Sequence, residues 1–366
     1  MTSAHARDDV RIFLKECTSL AQHGHDVILL VADGLGHGAE GMVKIHDVGR
    51  ASGRLDRMLR VPSRLVEAAM ELGADICHLH DPELLRIAVA LSRRGSKVVF
   101  DAHEDVPRQI LAKHYLYPWA RKGISRIFAA YERRICRNLA GVVCATPTIR
   151  DKFKGFARQV VDVNNYPLLG ELDPPGDVVR SGREVCYVGG LATIRGVREI
   201  VQAVGCCQHA GTQLHLVGHF IEPEVEAALR VTSDWHKVEF WGQQDREGVR
   251  NVLARSSIGL VTLHPTANYI DALPVKMFEY MAAGIPVIAS NFPLWRGIVE
   301  QADCGVCVDP LDPQAIARAI DELLSNPQRA QRLGENGRQA VYERFNWQIE
   351  EAKLLDFYAS LTKEAF

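Results

Sequence analysis

Apolar runs of strand length alternate along this chain with stretches whose apolar positions recur every three or four residues. In the first half, Val27–Ala32, Ile76–Leu79, Val98–Asp101 and Gly141–Ala145 read as strands. Between them Arg11–Gln22, Leu59–Leu72, Leu84–Arg93 and Pro118–Asn138 read as amphipathic helices. Residues 167–183, PLLGELDPPGDVVRSGR, are rich in Pro and Gly and have no period, which predicts a linker. The rhythm then restarts. Strands are expected at Glu184–Val188, Gln213–Val217, Val238–Trp241, Ile258–Leu263, Pro286–Ser290 and Gly305–Val308. Helices are expected at Val197–Cys207, Glu222–Val231, Arg246–Arg255, Pro313–Leu324, Pro327–Arg344 and Trp347–Leu361. One more helix opens at Pro274 and stops at Gly284.

Such alternation predicts parallel sheets covered on both faces. The expected fold class is α/β, with two doubly wound, Rossmann-like domains. Their expected bounds are 1–166 and 184–345, joined by the linker 167–183 and followed by a closing helical segment, 346–366. Ligands of such sheets bind outside the carboxyl ends of the strands, so the site is expected in the cleft between the domains.

Composition narrows the class. The 366 residues are 47% hydrophobic, enough for real cores, and no run approaches the roughly 20 apolar residues of a membrane span. The start, MTSAHARDD, is too polar for a signal peptide. Nine scattered Cys in mostly apolar segments fit a reducing cytoplasm, and Cys304-Gly-Val-Cys307 reads as two packed thiols. The net charge of −2 hides an asymmetry: residues 1–166 carry 25 Lys+Arg against 19 Asp+Glu, the remainder 18 against 26. A basic first half and an acidic second half imply different neighbours. No nucleic-acid-binding motif is present.

The segment Tyr269–Ser290, YIDALPVKMFEYMAAGIPVIAS, carries the most chemistry. Asp271 precedes a helix start, Lys276 lies in the first turn, and Glu279 follows one turn later. Free N–H groups of the Leu273–Pro274–Val275–Lys276 start, together with the Lys276 ammonium, can hold a phosphate. The carboxylates can accept hydrogen bonds from sugar hydroxyls. Glu279 also admits a plainer reading, as the partner of a salt bridge. Gly189 and Gly190 end a strand and Arg195 precedes the next helix, an arrangement in which backbone N–H groups and a guanidinium can meet an anion. Two cationic positions and one helix N-terminus suit a diphosphate.

The first half offers polar clusters at consecutive strand ends: His78, His80 and Asp81, then His103, Glu104 and Asp105. His5, in the loop Ser3–Asp9, makes a third. No complete metal-ligand set is identifiable, so no metal is expected. Pro118–Asn138 carries Arg121, Lys122, Arg126, Arg133, Arg134 and Arg137 against Glu132, preceded by Tyr115, Tyr117 and Trp119. Its apolar positions Ile124, Ile127, Phe128, Tyr131 and Ile135 fit a core-facing helix with a solvated basic face. They also fit a helix that docks on anionic lipid.

YVGGLATIRGV, ALPVKMFEYMAAGIPVIAS, CGVCVDPLDPQAIARAI and LGENGRQAVYERFNW, with TSAHARDDVRIF, HLHDPEL and FDAHEDVP, resemble a GT-B glycosyltransferase of the retaining family 4 over nearly the whole chain. The resemblance implies a nucleoside diphosphate sugar donor, UDP foremost, metal-independent transfer to an acceptor hydroxyl, and front-face attack assisted by the leaving phosphate. It implies that Glu279 holds the donor ribose and Asp271 the sugar hydroxyls. Gly189, Gly190, Arg195, Leu273, Pro274, Val275 and Lys276 would surround the diphosphate. His103 would reach the reacting sugar, with His5, His80, Asp81 and Glu104 on the acceptor side. The last helix would cross back onto the first domain. Asp271 is one methylene shorter than the usual Glu, and Gly190 stands where many members carry Arg. The family also has an apolar strand before the position of Thr2, central in the first sheet; either the start lies upstream, which is the expectation, or the sheet tolerates a gap. A lipid-linked acceptor in bacterial surface polysaccharide or glycolipid synthesis, on the inner membrane face, is the expected setting. A sugar-nucleotide 2-epimerase on the same fold and a non-catalytic nucleotide-sugar-binding subunit are the alternatives. Product analysis with donor alone separates the first of these; tight donor binding without turnover marks the second.

Overall fold

The structure is a computed structural model and describes residues 1–112, 117–174, 180 and 182–363. Tyr115, residues 175–179 and 181 of the expected linker, and residues 364–366 lie outside the described residues. The chain forms two compact units, Met1–Asn165 with Ile349–Phe366, and Tyr166–Gln348.

In the first unit the strands are β1 (Ile28–Val31), β2 (Gly38–Glu40), β3 (Val43–Asp47), β4 (Ile76–Leu79), β5 (Lys97–Ala102), β6 (Gly141–Cys144) and β7 (Val160–Asp162). They form not one sheet but two, ordered β1-β3-β2 and β4-β5-β6-β7. All pairs are parallel except β2 with β3. β5 and β6 are apolar and buried because parallel strands have both faces covered. The helix Trp347–Lys363 contributes most of its length to this unit, where Glu350 accepts from the Asn164 backbone N–H at 2.8 Å.

The second unit holds β8 (Glu184–Val188), β9 (Gln213–Val217), β10 (Val238–Gly242), β11 (Ile258–Val261), β12 (Val287–Ser290) and β13 (Gly305–Val308) in one parallel sheet ordered β10-β9-β8-β11-β12-β13. β11 and β12 are buried throughout. Each fully buried Leu, Ile or Val there contributes roughly 1.5–3 kcal/mol. The chain winds outward from β8 to β10, then returns to lay β11 on the other side of β8. The crevice between the carboxyl ends of β8 and β11 is therefore the topological switch point.

Several expected elements differ. Leu59–Leu72 is two helices, Arg54–Leu59 and Val61–Glu71, because Pro62 cannot supply the N–H that a continuous helix needs. Arg11–Gln22 opens with wide π-type turns over Val10–Cys17, capped by Asp9, whose carboxylate accepts from the Arg11 and Ile12 N–H groups at 2.9 Å. Pro274 is the N-cap of Val275–Ala282, not its first turn. On the basic helix Pro118–Cys136, Ile135 is buried but Ile124 and Ile127 are exposed, so the core-facing reading fails at those two positions.

Candidate active site

The switch point of the second unit is built from glycines and two cations. Gly189 follows β8 with φ +130° and donates its N–H to Val217 at 3.0 Å. A Cβ at Gly189 would sit 3.0 Å from Lys276 Nζ, and one at Gly190 would sit 2.7 Å from Arg195 Nη1. The absent side chains therefore make room for both cations. Gly196 holds Arg195 at its place: φ is +75°, and a Cβ would lie 2.1 Å from the Thr262 carbonyl oxygen after β11.

Lys276 is in the first turn of Val275–Ala282. Its Nζ is sealed from solvent, has no hydrogen-bond partner among the described residues, and lies 3.6 Å from the centre of the Tyr187 ring. Burial, and then the charge of Arg195, push its pKa well below the ordinary lysine value. A buried ammonium with only a ring face beside it is poorly compensated. An anion placed at Gly189 would correct that. Asp271 and Leu273 lie in the turn ahead of the helix, which is tied down by Trp295 Nε1 donating to the Ala272 carbonyl at 2.7 Å.

Glu279, one turn further, is buried and accepts from Arg246 Nη1 at 2.6 Å; Arg246 Nε donates to Glu171 Oε1, also at 2.6 Å. The salt-bridge reading of Glu279 is thus realised in this structure, on Oε1. Arg246 is a site residue that the sequence reading missed. It opens a helix whose cap is Asp245, and an Arg in a first turn, where acidic residues are favoured, was the available signal.

The first unit gathers its own cluster at the ends of β4 and β5. Asp101 is fully buried and takes Arg11 in a bidentate pair, Nε and Nη2 both at 2.9 Å. The same carboxylate meets His103 Nε2 at 2.9 Å and His80 Nδ1 at 3.2 Å. Against the upward push of burial, Arg11 and His103 hold Asp101 ionised. Burial lowers the His80 pKa to about 4, so that ring is neutral near pH 7. Asp81 accepts from Thr2 Oγ1 at 2.8 Å and from the Ser3 N–H at 2.5 Å, and pairs with His5 Nδ1 at 2.9 Å. That hydrogen bond raises the His5 pKa.

His5, His80, Asp81 and His103 are therefore brought together. Glu104 is not: it is exposed and pairs with Gln109. Asp101 and Arg11 were missed. An Asp inside an apolar strand was the only sign of the first. Glu16, His78, His80 and Asp101 offer ligand atoms within 4.8 Å of one another. Arg11 lies 3.1 Å from Glu16 and 2.9 Å from Asp101, so a fixed guanidinium already supplies the positive charge there.

Parallel α/β units with a mixed-charge switch point fit one class, the nucleotide-sugar glycosyltransferases of GT-B fold. Family models described as "Glycosyl transferases group 1" and "Glycosyltransferase Family 4" match residues 177–340 and 11–163, and together they span most of the chain. The chain belongs to this family of retaining glycosyltransferases. It is 24% identical over 297 residues to a glycogen synthase of Mycobacterium tuberculosis, an alignment covering 75% of this chain but only 66% of that protein. It is also 24% identical over 356 residues to the lipopolysaccharide core biosynthesis glycosyltransferase LpsE of Rhizobium meliloti, covering 92% and 91%. The structure of HepE from Anabaena in complex with UDP superposes with a TM-score of 0.71 at 14% identity, covering 94% of this chain and 95% of that one.

Proposed function

We propose that this chain transfers a sugar from a UDP-sugar to a hydroxyl of a lipid-linked acceptor, without a metal ion. The observation that carries this reading is Lys276 Nζ, buried and lacking a hydrogen-bond partner among the described residues, beside Gly189 at the switch point with Arg195 next to it. Lys276, Arg195 and the first N–H groups of the helix Val275–Ala282 meet the diphosphate. They stabilise the charge that grows on it as the glycosidic bond breaks. The leaving phosphate oxygen takes the proton of the attacking hydroxyl. Glu279 grips the ribose, Asp271 contacts the sugar hydroxyls, and His103 serves the reacting sugar. His5, His80 and Asp81 belong to the acceptor side. Uracil as the donor base is supported by the UDP of the HepE complex.

A lipid-linked acceptor is supported by the basic helix. Trp119 and Ile127 are exposed at 76% and 72%, beside exposed Lys122, Arg126, Arg133 and Arg134. Apolar side chains among cations suit an anionic interface. Among the described residues no helix is long and apolar enough to cross a membrane. The decisive experiment is donor hydrolysis with Glu279→Ala. Turnover is expected to collapse, and undiminished turnover removes the assignment. A thermal-shift panel of nucleoside diphosphate sugars then identifies the donor, since saturating ligand adds about 3 kcal/mol.

A further inference from the structure

Asp101 is a carboxylate inside an apolar strand: β5 reads Lys-Val-Val-Phe-Asp-Ala and is buried from Val98 to Ala102. Leu79 of β4 pairs with Phe100, so His80 follows at the level of Asp101 on the neighbouring strand. His103 lies two residues after Asp101, and its ring turns back to the same carboxylate. Arg11 reaches that carboxylate from the wide turns Val10–Cys17 and also donates through Nη1 to the Val163 carbonyl at 2.7 Å. A buried ion pair is weak support for a fold, because desolvation offsets most of its attraction. This pair ends in the rings of two histidines.

Three nitrogens converge on one oxygen. Asp101 Oδ2 lies 2.9 Å from Arg11 Nε, 2.9 Å from His103 Nε2 and 3.2 Å from His80 Nδ1. An ionised carboxylate only accepts hydrogen bonds, so each nitrogen that faces it carries a proton. His103 Nε2 and His80 Nδ1 are 3.4 Å apart. A lone pair on His103 Nε2, placed to accept from His80, would point at the carboxylate, and the repulsion excludes it. The charges agree. Burial, and then Asp101, push the Glu16 pKa well above its ordinary value, so Glu16 is the neutral acid of the cluster. The His80 ring is neutral as well. Arg11 and Asp101 therefore balance each other as a pair.

We propose that Asp101 and Arg11 are positioning residues that fix the His103 tautomer, proton on Nε2 and lone pair on Nδ1, so that His103 accepts a hydrogen bond from a hydroxyl of the donor sugar; this rests on the placement of His103 at the reacting sugar proposed above. Positive charge grows on a sugar ring as its glycosidic bond breaks. An acceptor at a ring hydroxyl favours that charge, and an N–H at the same place opposes it. The tautomer thus sets the sign of the interaction. Asp101 is fully buried and acts through the ring rather than on the sugar.

The first measurement needs no variant. Long-range proton–nitrogen NMR correlation on the chain labelled at its histidine nitrogens reads the tautomer of each ring. His103 is expected with its proton on Nε2 and His80 with its proton on Nδ1; a His103 protonated on Nδ1 alone overturns the proposal. Kinetics test the consequence, with UDP-glucose or the UDP-sugar that supplants it in the thermal-shift panel. Asp101→Asn is expected to lower kcat for donor hydrolysis at least about tenfold, to change KM less than about threefold, and to release His103 into mixed tautomers. An unchanged kcat in the folded variant refutes the positioning role. Since Asp101 acts through His103, Asp101→Asn is expected to deepen the loss in His103→Ala by less than about twofold. A full multiplicative loss makes Asp101 structural only and defeats the proposal. Full turnover by His103→Ala would instead remove His103 from the reacting sugar, and with it the hydroxyl contact, while the tautomer stays separately measured.

Discussion

The guanidinium of Arg246 holds Glu279 through Nη1 and Glu171 through Nε, each at 2.6 Å, so one cation fixes a carboxylate proposed to grip the donor ribose. Arg246→Ala leaves Glu279 buried without that partner, a loss of about 1–3 kcal/mol. If the carboxylate acts on the donor, the donor KM is expected to rise about 10–100-fold with kcat changed much less. Arg246→Lys, which lacks the planar fork, is expected to recover only part of this. Steady-state kinetics with a donor series decide the matter. An unchanged KM with a lowered Tm would make the pair structural only.

Lys276 offers a test in which stability and binding move apart. Its ammonium is buried without a hydrogen-bond partner among the described residues, so Lys276→Met removes an unfavourable burial. Tm without ligand is expected to hold or rise, while the Tm gain from UDP falls sharply. The pH sign follows. A lysine whose folded pKa lies below its ordinary value of 10.5 opposes folding while the unfolded chain is protonated. Stability from this group therefore grows as pH rises from the folded pKa towards 10.5. A bound diphosphate restores the charge, so UDP binding above the folded pKa should take up protons. Calorimetry in buffers of different ionisation enthalpy measures that uptake, and Lys276→Met should abolish it.

How much of this was legible depends on the range of each interaction. β11 and β12 could be read because parallel strands are buried on both faces and leave continuous apolar runs. β2 could not: all three of its residues are exposed, and pairing with β3 alone makes it a strand. Lys276 and Glu279 stand out locally, as charges on a helix that is otherwise apolar. Arg11 and Arg246 do not, because their partners Asp101 and Glu279 lie 90 and 33 positions away and meet them only in the folded chain.

The histidine cluster predicts opposite titrations for two neighbours. The hydrogen bond to Asp81 raises the His5 pKa above 6.5. That pair contributes its full stability below 6.5, and the contribution is lost as pH rises through the folded value. His80 is lowered to about 4 by burial and should stay neutral throughout that window. Proton NMR titration of the imidazole rings is the measurement. Asp81→Asn should bring the His5 midpoint down towards its ordinary value and leave His80 silent above pH 5. A His5 midpoint that ignores Asp81→Asn would refute the pairing in solution.

The basic helix separates two kinds of defect. Ile127 and Trp119 are exposed on it, while Glu132 is buried and paired with Lys152 at 2.7 Å, which anchors the opposite side to the unit. Ile127→Glu, and the pair Arg133→Glu with Arg134→Glu, alter exposed positions and should leave Tm within about 1 °C. Each juxtamembrane cation contributes about 1 kcal/mol on an anionic surface, and each reversal removes at least that. The double change should therefore cut sedimentation with phosphatidylserine-containing vesicles by at least about 30-fold, and added salt should do the same to the unaltered chain. Donor hydrolysis in solution should be unaffected in all variants. Equal sedimentation of the wild type and the double variant would remove the membrane surface from the proposal and leave the donor site untouched.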